Sequence, residues 1–308
     1  MKVINGRKEM RITNNSEFRQ YLNNESIKYK ESFFPIRVSW LERRFTKKVK
    51  CNKLHPNPYD EFSMPEIGPN WEIISGYAAE YRNVKGDFSA ALFSKNPAFV
   101  PLQVQKIHPD GYMILNGHHR WAAALRTGIQ VLPVEVINLT QSSDIKKMLG
   151  KATRDKRVAM DLDEVILCME DGDEAEKELR FPFNRLYPQK LRKGIPALFY
   201  CLNNLGYDIW IYSAKYYSMD QIQHLFRHYH AKVAGIVTGT GRKGPQSYDI
   251  KENLKKLLSQ KYKVTIHIDR HTVQRIDKEL GKIEEINIGS SMSWSGEVIE
   301  IMKKVKDA

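Results

Sequence analysis

Two aspartates two positions apart close a short apolar run in Val158-Ala-Met-Asp161-Leu-Asp163-Glu-Val165. A strand that ends in Asp-x-Asp turns one carboxylate forward and sets a second close beside it. Two such charges call for a cation, a proton or a phosphoryl group. Metal-assisted phosphoryl transfer would use both, one as nucleophile and one as acid/base. A surface strand running into a turn also produces Asp-x-Asp, so the residues downstream have to decide.

Downstream, further groups fall in order. Ser213 follows the apolar run Asp208-Ile-Trp-Ile-Tyr212, and Asp269 follows Val264-Thr-Ile-His-Ile268. Lys243, in the Gly-rich stretch Thr238-Gly-Thr-Gly-Arg-Lys-Gly244, and Lys251 lie between two of the apolar runs. A carboxylate nucleophile, a hydroxyl, a lysine and a metal-binding carboxylate on one rim meet the needs of phosphoryl transfer.

The elements that must hold these groups alternate. The patterning predicts strands over 157–160, 208–212, 234–238, 264–268 and 283–288, with helices over 195–205, 219–229 and 248–258. Strands separated by helices imply a parallel sheet with right-handed crossovers, and its site lies at the carboxyl ends of the strands.

This order resembles the haloacid dehalogenase (HAD) superfamily, whose motifs are Asp-x-Asp-x-Thr/Val, Ser/Thr, Lys and a terminal acidic cluster. The likeness covers residues 157–308. It implies an α/β, Rossmann-like domain. The short span between Asp163 and Ser213, with an acidic insert at 170–178, leaves room only for a minimal cap. By the resemblance, Asp161 attacks phosphorus to form an aspartyl-phosphate, and Asp163 protonates the leaving oxygen and then activates water. Asp161, the Asp163 carbonyl and Asp269 would hold Mg²⁺, a hard cation suited to oxygen ligands. Ser213 would bind a phosphoryl oxygen, and either Lys251 or Lys243 would offset its charge. The last motif of the family often carries two acids; here Arg270 follows Asp269, and Asp277 is a candidate second acid.

The other half carries Met113-Ile-Leu-Asn-Gly-His-His-Arg-Trp-Ala-Ala-Ala-Leu-Arg-Thr-Gly128. An apolar strand breaks at Gly117 and enters an Ala-rich helix that stops at Gly128. Helix-start amides with His118, His119 and Arg120 around them suit a phosphate. Strands at 101–105 and 131–137 flank the turn. The pattern resembles the ParB/sulfiredoxin-like fold over residues 47–139, which implies an α+β domain. Sulfiredoxins need a cysteine in the turn, and this turn has none. The Gly-His-His-Arg form is most similar to free-serine kinases, although Asn116 stands where those carry Asp. That likeness implies that Asn116, Gly117, His118, His119 and Arg120 contact a nucleotide (ATP, ADP or CTP), with Glu61 as base. His224, His228 and His230 read as ordinary surface.

The chain has 308 residues, 42% apolar, enough for two domains with real cores. We expect a basic extension over 1–46, a ParB/sulfiredoxin-like domain over 47–150, a linker, and the HAD-like domain over 157–308. The net charge of +13 suggests anionic partners: a phosphorylated small molecule, a nucleotide or nucleic acid. Residues 1–50 hold 13 basic and five acidic side chains, a net of +8. Three scattered cysteines give neither a disulfide framework nor a zinc pattern, and the polar first residues do not read as a signal peptide. We therefore expect a cytoplasmic phosphatase without a membrane span. The rivals are a nucleic-acid-binding or end-processing ParB-like protein, and a nucleotide sensor whose HAD-like half is inactive.

Overall fold

The computed structural model describes every residue except 1–2, 5–6, 9–10, 31–32, 84–95, 169–173, 243–244, 290–292 and 307–308. It is a mixed α/β chain that divides into two units, Met1–Asn138 and Leu139–Ala308.

In the first unit, β1 (Val3–Ile4) pairs with β2 (Arg7–Lys8), followed by α1 (Asn15–Lys30), β3 (Phe34–Pro35) and α2 (Trp40–Phe45). Then come β4 (Lys48–Lys50), β5 (Leu54–His55), α3 (Trp71–Asn83), β6 (Leu102–His108), β7 (Tyr112–Asn116), α4 (His118–Thr127) and β8 (Val131–Val136). The sheet has the order β4-β8-β6-β7-β5, and β3 pairs with β6 beside it. Both parallel pairs (β6 with β8, β5 with β7) and antiparallel pairs (β6 with β7, β4 with β8) occur in it. The Ala-rich stretch of α4 is buried whole, from Trp121 to Leu125. Small side chains let this helix approach its neighbours closely.

The segment expected as a basic extension is part of this unit. Phe18 of α1 packs on Phe62, Trp71 and Trp121, and Leu22 and Val38 join the same core. A run rich in Lys and Arg still carries a helix with an apolar stripe, and the stripe decides its fate.

The second unit opens with α5 (Ser142–Lys151), β9 (Lys156–Asp161), α6 (Phe183–Leu186), α7 (Ile195–Asn204), β10 (Tyr207–Tyr212) and α8 (Met219–His228). It continues with β11 (Gly235–Val237), α9 (Pro245–Lys261), β12 (Val264–Ile268), β13 (Thr272–Asp277), β14 (Lys282–Asn287) and α10 (Trp294–Lys306). The strand order is β11-β10-β9-β12-β13-β14. The first four strands are parallel, and Ile209, Trp210 and Ile211 are buried in succession because both faces of the sheet are covered.

The expected all-parallel sheet is corrected at its edge. β13 and β14 run antiparallel as a meander. Only three residues separate Ile268 from Thr272, too few for a crossover, which needs about a dozen. The strand expected at 283–288 is β14, and β13 was not foreseen. A further difference concerns α5, expected with the first domain. Its Ile145 is buried with Trp210, Val237, Leu254 and Leu258, all of the second unit.

Candidate functional site

In the second unit, β9 and β12 are neighbours with Met160 opposite Ile268, so Asp161 and Asp269 leave the two strands side by side. Adjacent strands lie about 4.8 Å apart. The strand order reverses between them, where open α/β sheets form a crevice at their carboxyl ends. β10 pairs on the other side of β9, with Tyr212 opposite Asp161, and delivers Ser213 to the same rim.

Asp161 caps the turn that follows it. Its Oδ1 accepts the amides of Asp163 (2.7 Å) and Glu164 (2.9 Å), and its Oδ2 accepts no hydrogen bond among the described residues. Leu162–Ile166 forms a single wide helical turn, closed by the Leu167 amide on the Leu162 carbonyl at 2.8 Å. That turn swings Asp163 over the end of β10. The buried Ser213 hydroxyl donates to Asp163 Oδ2 at 2.6 Å, and Tyr217 Oη donates to Oδ1 at 2.8 Å. Lys215 Nζ lies 3.0 Å from the same Oδ1.

Lys215 and Tyr217 are residues that sequence reasoning missed. The signal was there: Ser213-x-Lys215-x-Tyr217 repeats every second residue just beyond a strand. Of the two lysines expected at this site, Lys243 lies outside the described residues. Lys251 is exposed on α9 and forms no ion pair with Asp161, Asp163 or Asp269. The Gly-rich loop is tied to the rim instead through Thr240, whose amide and hydroxyl donate to the Ser213 carbonyl at 3.0 and 3.1 Å.

Asp269 closes its own turn. Its Oδ1 accepts the His271 and Thr272 amides (2.7 and 2.6 Å), and its Oδ2 accepts the Thr272 hydroxyl at 2.9 Å. Burial alone would raise its pKa; these donors outweigh burial and hold the carboxyl below its usual value. Asp277 is at the wrong end of the sheet to assist. It faces Val264, where β12 begins, and caps Glu279 and Leu280. The direction of β13 is the reason.

Arg270, next to Asp269, holds the turn after β9. Its Nε donates at 2.7 Å to the Glu164 carbonyl, inside the wide turn that carries Asp163. Arg192 reaches the same carbonyl at 3.3 Å and lies 5.1 Å over the ring of Trp294, which in turn donates to the Arg270 carbonyl at 3.0 Å.

No group of three His, Cys, Asp or Glu side chains converges as a metal cluster among the described residues. The oxygen set of Asp161 and Asp269, with a main-chain carbonyl, nevertheless fits a hard cation by its chemistry. Asp161 Oδ2 is uncommitted among the described residues, and a carboxylate oxygen such as Asp269 Oδ2 has room for a second partner.

In the first unit, Gly117 makes the turn into α4 with φ of 106°. A Cβ there would come within 2.9 Å of Arg120 Nη2 and Leu102 Cγ, so both conformation and space ask for glycine. Arg120 is buried and turned inward, with Nη1 donating to the carbonyls of Val100 and Pro101; burial lowers its pKa. His118 Nε2 accepts the Asn57 amide at 3.1 Å, and His119 Nε2 accepts the Asn70 amide at 3.2 Å. Phe62 sits between, stacked on His118 and edge-on to His119. The two histidines thus clamp the loop that crosses 57–70.

Glu61 is exposed on the short helical turn Glu61–Ser63. The acid nearest the histidines is Asp60, with Oδ1 3.8 Å from His118 Nδ1. Burial drives the His118 pKa down to about 4, with Asp60 opposing that shift, and His119 is lowered for the same reason. Asn116 is exposed at the end of β7. The first amides of α4 have no side-chain cap, because the cap residue is Gly117. The clustered His224 and His228 lie against Tyr187, and the His228 ring is tilted against Phe183.

No helix is long and apolar enough to cross a membrane among the described residues. Neither a curated protein nor a solved structure matches the chain. Residues 94–153, which include the Gly117 turn and α4, match the family model of the ParB N-terminal domain, so the chain carries a ParB-like segment.

Proposed function

We propose that the second unit is a phosphohydrolase of the haloacid dehalogenase type, fused to a ParB-like unit that binds a nucleotide. One observation carries the first half of this reading: Asp161 and Asp269 emerge side by side at the point where the strand order reverses, with Ser213 delivered to the same rim. The Asp161 Oδ2 forms a bond to phosphorus as the bond to the ester oxygen breaks. That oxygen leaves with a proton from Asp163. Asp163 then takes a proton from water, whose oxygen attacks phosphorus and frees Asp161 and inorganic phosphate. Ser213, Lys215 and Tyr217 hold the Asp163 carboxyl in position for both transfers. Asp161, Asp269 and the Asp163 carbonyl would hold Mg²⁺, which supplies charge neutralisation at the phosphoryl oxygens.

The test is hydrolysis of an aryl phosphate by wild type and by Asp161→Asn, in Mg²⁺. Turnover should fall by several orders of magnitude in a folded variant, because an amide cannot attack. Equal turnover in the two proteins would sink the reading.

For the first unit, the support is the ParB-like match and the uncapped amides at the start of α4. Calorimetric titration of the whole chain with ATP, ADP and CTP tests it. No heat with any of the three removes the nucleotide and leaves the hydrolase untouched.

A second reading, nucleic-acid binding by the first unit, rests on α2. No residue of that helix is buried, and Trp40, Leu41 and Phe45 are exposed beside Arg37, Arg44, Lys47, Lys48 and Lys50. Its acid, Glu42, is engaged by Lys106. Cations interleaved with aromatic faces suit a single strand. Binding of an oligonucleotide that weakens steeply with salt would support this reading; no binding at low salt would end it.

A further inference from the structure

A cavity of about 410 Å³ runs between α5 and α8 along the edge strand β11, from Asp144 and Met219 to Arg154, Asn203 and Asp208. Gly235 and Ile236 of its lining stand opposite Trp210 and Ile211, and so level with Ala159 and Met160 two strands away, roughly 10 Å from β9 at about 4.8 Å per strand. The size is that of a small-molecule site. Sites in parallel sheets belong in the crevice at the carboxyl ends, here between β9 and β12, so a cavity beside the edge strand β11 needs its own account.

Its lining has a charged side and an apolar side. Lys147 and Lys151, one helical turn apart on α5, face it together with Lys232 before β11. Among the described residues no carboxylate pairs with any of the three. The two acids of the lining are already engaged: Asp208 accepts the Tyr262 hydroxyl at 3.0 Å, and Asp144 caps the first turn of α5 through the Gln141 amide at 2.9 Å. Arg154 is also engaged, donating to the Tyr207 carbonyl and to Asn203. Four cations against two carboxylates leave the lining with a net charge of +2. Met148, Met219, Val233 and Ile236 supply the apolar wall.

We propose that this cavity is a second ligand site of the C-terminal unit, one that takes a small organic phosphate. The phosphate would lie among Lys147, Lys151 and Lys232, with the organic body against the methionines, whose flexible thioethers adapt to varied shapes. A compact inorganic anion would satisfy the lysines and leave the wall uncovered. The ligand should therefore be an ester with an apolar or planar body.

The site is independent of hydrolysis, so its test reads binding. Full-length Asp161→Asn protein, which cannot turn the probe over, is titrated with phenyl phosphate and with inorganic phosphate. Hydrogen exchange is followed at the same time. Phenyl phosphate should protect amides at 147–154 and 232–236, and inorganic phosphate should do so at least tenfold more weakly. Adding Lys151→Glu and Lys232→Glu, both exposed and safe for the fold, should weaken that protection at least tenfold. Binding at the Asp161 rim should persist. Unchanged protection in the charge-reversed protein, or protection confined to residues 161–164 and 213–217, overturns the proposal. A wild type that hydrolyses nothing would overturn the phosphohydrolase reading and leave this result standing.

Discussion

Arg270 sits directly after Asp269, and it braces the carbonyl of Glu164 from outside the turn that carries Asp163. A charged donor to a carbonyl is worth roughly 1.5–3 kcal/mol. Arg270→Ala should lower kcat by about ten- to a hundredfold, with a much smaller change in KM, because it loosens Asp163 and leaves Asp161 in place. Steady-state kinetics on an aryl phosphate reads the split. At the other site, His118 is buried as the neutral base, and its pKa is depressed to about 4 from 6.5. Its contribution is therefore complete above pH ~6.5, and stability falls as pH drops toward about 4, because the unfolded chain takes up the proton first. At about 1.4 kcal/mol per pKa unit the loss approaches roughly 3 kcal/mol. Urea unfolding at pH 7 and pH 4.5 should show it, and His118→Asn should flatten the slope. Gly117→Ala should cost the first unit about 1–2 kcal/mol from its left-handed backbone alone, before the contact with Arg120 is counted.

Helix α5 is where local pattern and tertiary packing part company. Its sequence is polar, and it follows the last strand of the first unit, so on pattern alone it reads as the tail of that domain. Ile145 decides otherwise by filling a space among Trp210, Val237, Leu254 and Leu258. Ile145→Ala should lower the stability of the second unit by about 2–5 kcal/mol, the usual range for a truncated core isoleucine, and leave the first unit unchanged. Two unfolding transitions in calorimetry, of which only one moves, would confirm the assignment. The wide turn after β9 has a similar lesson. Asp161 accepts two amides of the turn it starts, as a helix cap does, so one carboxylate both shapes the turn and stands ready on the rim.

Each unit has its own apolar core, one around Phe62, Trp121 and Ile114, the other around Val158, Ile209 and Ile266. A chain of residues 139–308 should fold and carry the hydrolase activity proposed for the second unit; one beginning at 157 should lose cooperativity, because it leaves Trp210 and Leu254 without Ile145. Circular dichroism melts and turnover of the two fragments check this. The alternation of apolar runs, Gly206 after α7 and the Asp161-x-Asp163 pair were local features, and they sufficed for the parallel strands and for the residues of the carboxylate rim. Gly117 was legible for the same reason, since a glycine before an Ala-rich helix marks a turn. The edge meander was not: β14 showed its alternation, but β13 was missed, and the direction of both follows from a three-residue connection after β12. Nor were Lys215 and Asp60, whose partners stand 52 and 58 residues away in the chain. The same holds for the inward turn of Arg120 and for the three lysines around the cavity. Residue type and spacing determine which groups a segment presents along its own length; which groups meet across the fold is set by register, burial and the demand that buried donors find acceptors, and only the tertiary structure settles those.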